Sequence, residues 1–254
     1  MENLNSKLVK VFGFDFVNND LQEMVMVVKN RMNKELKTFI VTGNPEILMY
    51  ARKNKDYKNK IQAADFLIPD GYGIILASKI FRTPIRARLT GFDLMIELLK
   101  LANDENKSIY LLGGSEKINS LASQKILSQF PNITLAGRHH GFFDWNNNNI
   151  LLEVKQKKPD IVFVAMGYPR QEKWISEYSP LCEKGIFIGV GGSVDVIAGA
   201  LKRAPIILQR LNLEWLYRVI QEPKRWKRII VLPKFIFEIL KLKLKKPSIF
   251  RSDE

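Results

Sequence analysis

The chain has 254 residues, of which 46% are hydrophobic and 26% are charged, and this composition excludes an intrinsically disordered protein. A single cysteine, Cys182, excludes an intrachain disulfide and a zinc site built from cysteines. The net charge is +14, and residues 202–254 carry 14 basic and only 5 acidic side chains. This asymmetry predicts a polyanionic partner for the C-terminal part: nucleic acid, an anionic membrane surface or a phosphorylated substrate.

The sequence contains no signal for secretion or for membrane insertion. The first residues lack the apolar core of a secretory signal peptide, and no run of about 18 apolar residues is present. Together with the single cysteine, these features predict a protein of the reducing cytoplasm.

Short apolar runs that end at glycines alternate with helical patterns along the first 205 residues. The runs predict buried strands at 38–42, 108–112, 160–166 and 186–190. The intervening patterns predict helices at 45–64, 92–102, 115–130, 171–181 and 194–201. This alternation is typical of an α/β fold, and we expect a Rossmann-like parallel sheet with helices on both faces. Ligands of such sheets bind at the carboxyl ends of the strands.

The pattern changes after Pro205, so we divide the chain into an α/β domain at 1–205 and an appendage at 206–254. The appendage is predicted to form a basic amphipathic helix at 206–221, a break at Pro223, a second break at Pro233 and an apolar helical stretch at 235–244. Basic residues interleaved with Trp, Phe and Ile are typical of helices that lie on a membrane. The alternatives are a helical pair packed on the domain with a solvated basic face, and a nucleic-acid-binding segment.

Two glycine pairs, Gly113-Gly114 and Gly191-Gly192, each follow a predicted strand and open a predicted helix. Such turns either bind phosphate at the helix N-terminus or are simply tight connections, and the sequence leaves both interpretations open. The dinucleotide fingerprint and the P-loop motif are both absent.

No metal site is predicted. His139 and His140 are adjacent in sequence, without a cysteine or carboxylate at ligand spacing, so a structural role is favoured. An Asp-x-Asp pair, which often holds Mg²⁺ beside a diphosphate, does not occur in the chain. A diphosphate leaving group would therefore have to be neutralised by arginine or lysine.

Three further segments carry candidate functional side chains. Asp70 lies between a proline and a glycine at the end of an apolar run, where it is either a general base or a turn residue. Arginines at 82, 86 and 88 either bind an anion or lie in a solvated loop. Gln171 follows the third predicted strand, where it either hydrogen-bonds a polyhydroxylated ligand or belongs to the first turn of a helix.

Taken in order, six stretches closely resemble the WecG/TagA/CpsF glycosyltransferases, over roughly residues 10 to 230. The stretches are Thr42-x-Asn44-Pro45-Glu46, Pro69-Asp70-Gly71-x-Gly73, Arg88-x-x-Gly91-x-Asp93-Leu94, Gly113-Gly114, Gly167-x-Pro169-x-Gln171-Glu172 and Gly189-Val190-Gly191-Gly192-x-x-Asp195.

The resemblance implies an inverting, metal-independent transfer of an N-acetylmannosamine-type sugar. The donor would be a UDP-sugar and the acceptor a GlcNAc-diphosphate-polyprenol lipid, in the synthesis of a bacterial cell-surface polymer such as teichoic acid or capsule. No cofactor is implied. Neither the donor sugar nor the polymer follows from the sequence.

The resemblance also implies roles for individual residues. Asp70 would be the general base, and Thr42 and Asn44 would position it and the sugar. Arg88 and Gln171 would contact the donor or acceptor near the reacting centre. The uridine diphosphate would be framed by Gly113, Gly114, Phe142 (where family members often have Tyr), Gly191, Gly192 and Asp195.

The appendage resembles the family's membrane-targeting segment, which folds over the active site and extends arginines towards the diphosphate. The corresponding residues here are Arg218, Arg225 and Arg228. This favours a peripheral location on the anionic inner face of the plasma membrane over nucleic-acid binding. An exposed apolar appendage can also drive homo-oligomer formation off the membrane. A non-catalytic relative that binds a nucleotide sugar remains the main alternative function.

Overall fold

The computed structural model describes residues 8–145, 148–222 and 230–245. The strands are β1 (Leu8–Val11), β2 (Phe14–Val17), β3 (Thr38–Gly43), β4 (Phe66–Pro69), β5 (Ser108–Gly113), β6 (Thr134–His139), β7 (Ile161–Ala165) and β8 (Ile186–Gly189). The helices are α1 (Leu21–Asn33), α2 (Pro45–Lys53), α3 (Lys55–Gln62), α4 (Tyr72–Ile80), α5 (Gly91–Asp104), α6 (Glu116–Gln129), α7 (Asn149–Lys157), α8 (Arg170–Tyr178), α9 (Ser193–Ala198), α10 (Ile206–Arg210), α11 (Glu214–Gln221) and α12 (Val231–Lys245).

Within these ranges, six strands form one parallel sheet in the order β4-β3-β8-β7-β5-β6. The chain leaves β3 towards β4 on one side, whereas it reaches the neighbouring β8 from β7 on the other side. After β3 the chain enters α2 on one face of the sheet, and after β8 it enters α9 on the opposite face, so these two connections diverge. In an open parallel sheet, such a point opens a crevice at the carboxyl ends of the strands.

Two apolar cores lie on opposite faces of the sheet, because successive strand residues point to alternate faces. In β3, Phe39 and Val41 join one core while Ile40 joins the other. Helices α1, α5, α6 and α9 cover one face, and α2, α3, α4, α7 and α8 cover the opposite face together with the β1–β2 hairpin and α12. The predicted α/β fold, with a parallel sheet and helices on both faces, is thus confirmed.

The four predicted strands are present, but several helix boundaries differ from the prediction. Asn54 interrupts the helix predicted at 45–64, since its side chain accepts a hydrogen bond from Tyr57 N and caps a new helix. The helix predicted at 206–221 is divided at Asn212, which has a φ of 60°. The β1–β2 hairpin and β6 were not predicted.

The prediction that Pro233 breaks the helix is wrong. Pro233 is the third residue of α12, and a first-turn nitrogen needs no partner within the helix. The predicted break at Pro223 lies outside the described residues.

The C-terminal helix packs on the α/β body. Phe235 and Ile239 of α12 are fully buried against α2 and α4, in the core that also contains the hairpin. At the hairpin turn, Phe12 (φ 56°) packs edge-on against the ring of Phe235, with centroids 5.1 Å apart. None of the helices in the described ranges is both long and apolar enough to cross a bilayer.

Candidate active site

A cavity of about 270 Å³ opens at the carboxyl ends of the strands, where β3 and β8 diverge. The segments that follow β3, β4, β7 and β8 supply its floor, and α11 and the first turn of α12 supply a wall. Its volume is close to the lower end of the range for ligand sites, about 300 Å³. The cavity therefore lies where the sheet topology predicts a ligand.

Asp70 is the first residue after β4, and its backbone places it at the cavity floor. Its amide donates to the carbonyl oxygen of Gly43 at the end of β3, at 2.9 Å. The following residue, Gly71, has a φ of 96°, which allows α4 to begin immediately. The turn thus fixes the side chain of Asp70 between two strand ends.

The surroundings of Asp70 raise its pKa to about 6. Burial is the main cause, because it disfavours the ionised form, and the nearby charge of Glu214 adds to it. The guanidiniums of Arg218 and Arg88 oppose this shift, as does a hydrogen bond from the Gly91 amide. A carboxyl group with this pKa is ionised at neutral pH and is a stronger base than an ordinary aspartate.

Two arginines approach Asp70 from different parts of the chain. Arg88 lies between α4 and α5, and Arg218 lies on α11. Both contact the same buried carboxylate: Arg88 Nη2 is 3.4 Å from Glu214 Oε2, and Arg218 Nη2 is 3.5 Å from Glu214 Oε1. The site therefore pairs a base with two cations that are suited to an anionic ligand.

Thr42 and Asn44 lie at the end of β3 and line the cavity. The Thr42 hydroxyl donates to the Gly189 carbonyl oxygen at 3.1 Å, which links β3 to β8. The Asn44 side-chain oxygen accepts from Ile47 N at 3.0 Å and caps α2. These contacts hold both side chains at the cavity. Their predicted role in positioning Asp70 and the sugar stays a prediction.

Gln171 lines the cavity, but its side-chain amide already forms hydrogen bonds with other groups of the protein. Its Oε1 accepts from Gly167 N and Gly191 N, each at 3.1 Å. Its Nε2 donates to Glu172 Oε1 at 2.7 Å. Gln171 therefore joins the turns that follow β7 and β8, a role that the sequence did not indicate; its predicted contact with the donor or acceptor stays a prediction.

The C-terminal segment closes one side of the cavity. Val231 and Leu232 line it from α12, and Trp215 lines it from α11. Gly73 of α4 leaves no room for a side chain here, since an added Cβ would lie 2.8 Å from Leu232 Cδ1 and 2.5 Å from Pro45 Cγ. The starts of α2, α4 and α12 thus meet beside the residues that follow β3 and β4.

The remaining predicted residues are divided between the cavity and its surroundings. Gly191 and Gly192 line the cavity. Four other residues were predicted to frame the nucleotide but do not line the cavity: Gly113, Gly114, Phe142 and Asp195. Phe142 is 72% exposed, and Gly114 follows β5, where its amide donates to Ala165 O of the adjacent strand at 3.0 Å. Their contact with a uridine diphosphate stays a prediction.

Two predicted arginines, Arg225 and Arg228, lie outside the described residues. Conversely, no role was predicted from the sequence for Glu214 or for Glu172, although Glu172 belongs to one of the six stretches given above. Glu214 precedes Arg218 by four residues, a helical ion-pair spacing that could have identified it. Among the described residues, no group of three or more His, Cys, Asp or Glu side chains is arranged to hold a metal ion.

Comparisons with known proteins show the family to which the chain is similar. The model of the family described as "Glycosyl transferase WecG/TagA/CpsF family" matches residues 9–249. Proteins from Staphylococcus aureus strains MW2, NCTC 8325 / PS 47 and MRSA252 are each 38% identical to the chain over 248 residues, which cover 96% of both sequences. Each is named "N-acetylglucosaminyldiphosphoundecaprenol N-acetyl-beta-D-mannosaminyltransferase".

Proposed function

Because the chain belongs to the WecG/TagA/CpsF family of glycosyltransferases, we propose that it transfers N-acetylmannosamine from a UDP donor to GlcNAc-diphosphoundecaprenol. The observation that carries the proposal is the position of Asp70 beside Arg88 and Arg218, in the cavity at the carboxyl ends of β3 and β8. The acceptor is the one named in the activity of the 38% identical relatives. The polymer served would be a bacterial cell-surface polymer such as teichoic acid.

In the proposed reaction, an acceptor hydroxyl attacks the anomeric carbon of the donor from the face opposite the diphosphate. The new carbon–oxygen bond forms as the bond to the diphosphate oxygen breaks, so the configuration is inverted. The hydroxyl proton passes to Asp70, and UDP leaves with the bonding electrons. Such general-base assistance is worth about 10²–10⁴-fold in rate, and a pKa near 6 suits it to neutral conditions.

The guanidiniums of Arg88 and Arg218 would neutralise the charge that develops on the leaving diphosphate. Arginine presents several donors in a planar fork that matches phosphate oxygens. A donor aimed at developing charge is worth about 3 kcal/mol of transition-state stabilisation. With two such cations beside the base, we propose that the transfer is independent of a metal ion.

We also propose that the C-terminal segment holds the enzyme on the anionic inner face of the plasma membrane, where its lipid acceptor resides. Large apolar side chains are exposed on α10 and the residue that follows it, on α11 and on α12: Ile206, Ile207, Leu211, Trp215, Leu216, Ile220, Phe237, Leu240 and Leu244. Basic residues such as Arg210, Lys234 and Lys241 accompany them. This combination suits the boundary between lipid headgroups and acyl chains.

The proposed reaction is tested by UDP release from UDP-N-acetylmannosamine with a GlcNAc-diphosphate-lipid acceptor. We expect release by the wild type and a loss of at least ~10²-fold in Asp70→Asn. Nucleotide-sugar binding without release would favour a non-catalytic relative, and release that survives the substitution would assign the base elsewhere.

Vesicle sedimentation tests the membrane proposal. We expect binding to phosphatidylglycerol vesicles that exceeds binding to phosphatidylcholine vesicles, because the segment is basic. Salt-sensitive binding to duplex DNA without vesicle binding would contradict it.

A further inference from the structure

Glu214 is a buried carboxylate to which the proposed reaction assigns no step. It is the first residue of α11, it is 8% exposed, and it lines the cavity. Burying a carboxylate is costly unless cations or hydrogen-bond donors surround it. The partners of Glu214 therefore indicate its role.

Those partners come from two different parts of the molecule. Arg88 belongs to the α/β body, and Arg218 lies one helical turn beyond Glu214 on α11. Each guanidinium uses one nitrogen at 3.4–3.5 Å, longer than the ~2.8 Å of a strong charge-assisted bond. Because a guanidinium has five N–H donors, both arginines retain donors for another anion.

We propose that Glu214 is a positioning residue of the transfer reaction, which holds the guanidiniums of Arg88 and Arg218 together beside Asp70 as a pair that a diphosphate bridges. This inference rests on the proposed function and adds to it the group that aligns the two cations. It also makes Glu214 the charged link between the α/β body and α11 at this cavity.

The charges of the cluster support this role. Two guanidiniums that converge on one point repel each other, and a carboxylate between them offsets that repulsion. With Asp70 ionised, the two carboxylates and the two arginines sum to zero charge. Other titratable groups that line the same cavity are Glu46, Tyr72 and Tyr168.

The negative charge of Glu214 also acts on the base, because it raises the pKa of Asp70. Removing this charge therefore shifts the pH dependence of the reaction. A residue that only fills space would not produce such a shift.

The test compares Glu214→Gln and Glu214→Asp with the control Glu238→Gln. Glu238 of α12 also accepts from an arginine of the body, Arg52 at 3.2 Å, but it does not line the cavity. For each protein, kcat, the KM for UDP-N-acetylmannosamine and the pH dependence of kcat/KM are measured. UDP affinity and thermal unfolding without substrate are measured alongside them.

We expect Glu214→Gln to lower kcat roughly 10–100-fold, because misaligned groups near the reacting centre are costly. The ascending limb of its pH profile should move to lower pH, because a negative charge near Asp70 is lost. Glu214→Asp should lower kcat while the ascending limb of its pH profile stays near the wild-type position. Glu238→Gln should change neither kcat nor the position of this limb. If Glu214→Gln does not fold, the kcat of the folded Glu214→Asp variant tests the inference. A lowered kcat would support it and an unchanged kcat would overturn it.

A Glu214→Gln enzyme with kcat within twofold of wild type and an unshifted limb would overturn the inference. So would tighter UDP binding at unchanged kcat, since Glu214 would then only occupy the place of the ligand. An inactive wild type would instead overturn the proposed function itself. The two failures are therefore distinguishable.

Discussion

The hydroxyl of Tyr57 donates a hydrogen bond of 2.9 Å to the buried carboxylate of Glu172. The other oxygen of that carboxylate accepts from Gln171, whose own oxygen accepts from the amides of Gly167 and Gly191. Burial raises the pKa of Glu172 above its ordinary value, although hydrogen bonds from Gln171, from Tyr57 and from its own backbone amide act in the opposite direction. A chain of hydrogen bonds thus runs from α3 to the two turns that line the cavity.

Replacing Tyr57 with Phe should destabilise the fold, since a fully buried carboxylate loses one of its donors. We expect the free energy of unfolding to fall by about 1–3 kcal/mol, measured by urea denaturation. Tyr50→Phe is the matched control, because Tyr50 is half-buried and packs against the ring of Tyr57 with centroids 4.9 Å apart. Equal stability losses in both variants would contradict a specific role for the Tyr57 hydroxyl.

Asp70→Asn should lower transfer by at least ~10²-fold and yet stabilise the protein at neutral pH. The pKa of Asp70 in the folded state, about 6, lies above its ordinary value of 3.8, so folding opposes its ionisation. The wild type should therefore lose stability relative to the variant as pH rises from about 4 to 6. Above that window the difference should be constant, at most about 3 kcal/mol. Thermal unfolding at pH 4 and pH 7.5 measures it; a variant of lower stability at pH 7.5 would contradict the assignment.

The pH dependence of kcat/KM should have an ascending limb near pH 6, because Asp70 must be ionised to accept a proton. Arg218→Gln should move this limb to higher pH, because the Arg218 guanidinium lowers the pKa of Asp70. The control is Arg138→Gln, whose side chain pairs with Glu116 outside the cavity. A limb that stays in place in Arg218→Gln would show that another group titrates.

Phe235 and Phe237 of α12 provide a matched pair of substitutions, because the first is fully buried and the second is 65% exposed. Phe235→Ala should cost about 3–5 kcal/mol of unfolding free energy or undock α12. Phe237→Ala should leave thermal unfolding unchanged and weaken sedimentation with anionic vesicles. If Phe237→Ala destabilised the protein and Phe235→Ala weakened only vesicle binding, α12 would pack on the body by its opposite face.

The parts of the fold that could be predicted from the sequence carry local signals. β3, β5, β7 and β8 are apolar runs that end at glycine or within two residues of one, as expected for strands buried on both faces. β6 was missed because it is only partly buried and its sequence, TLAGRH, has no such run. Asn54 was missed as a boundary because a single capping residue hardly changes the helical pattern.

The parts of the site that could be predicted follow the same rule. Asp70 is recognisable because its proline and glycine neighbours define a turn at a strand end. The hydrogen bonds that occupy the side-chain amide of Gln171 could not be predicted, because its partner Gly191 is 20 residues away and only the fold brings the two together. The convergence of Arg88 and Glu214, 126 residues apart, likewise depends on how α11 packs.

The contact between Phe12 and Phe235 joins the first described turn of the chain to its last described helix. During synthesis, Phe12 leaves the ribosome more than 200 residues before its partner does. Until α12 emerges, the groove between α2 and α4 is uncovered, and the cavity lacks the wall formed by Val231 and Leu232. The nascent chain therefore carries an exposed apolar groove until α12 has been synthesised, and the cavity acquires this wall only then.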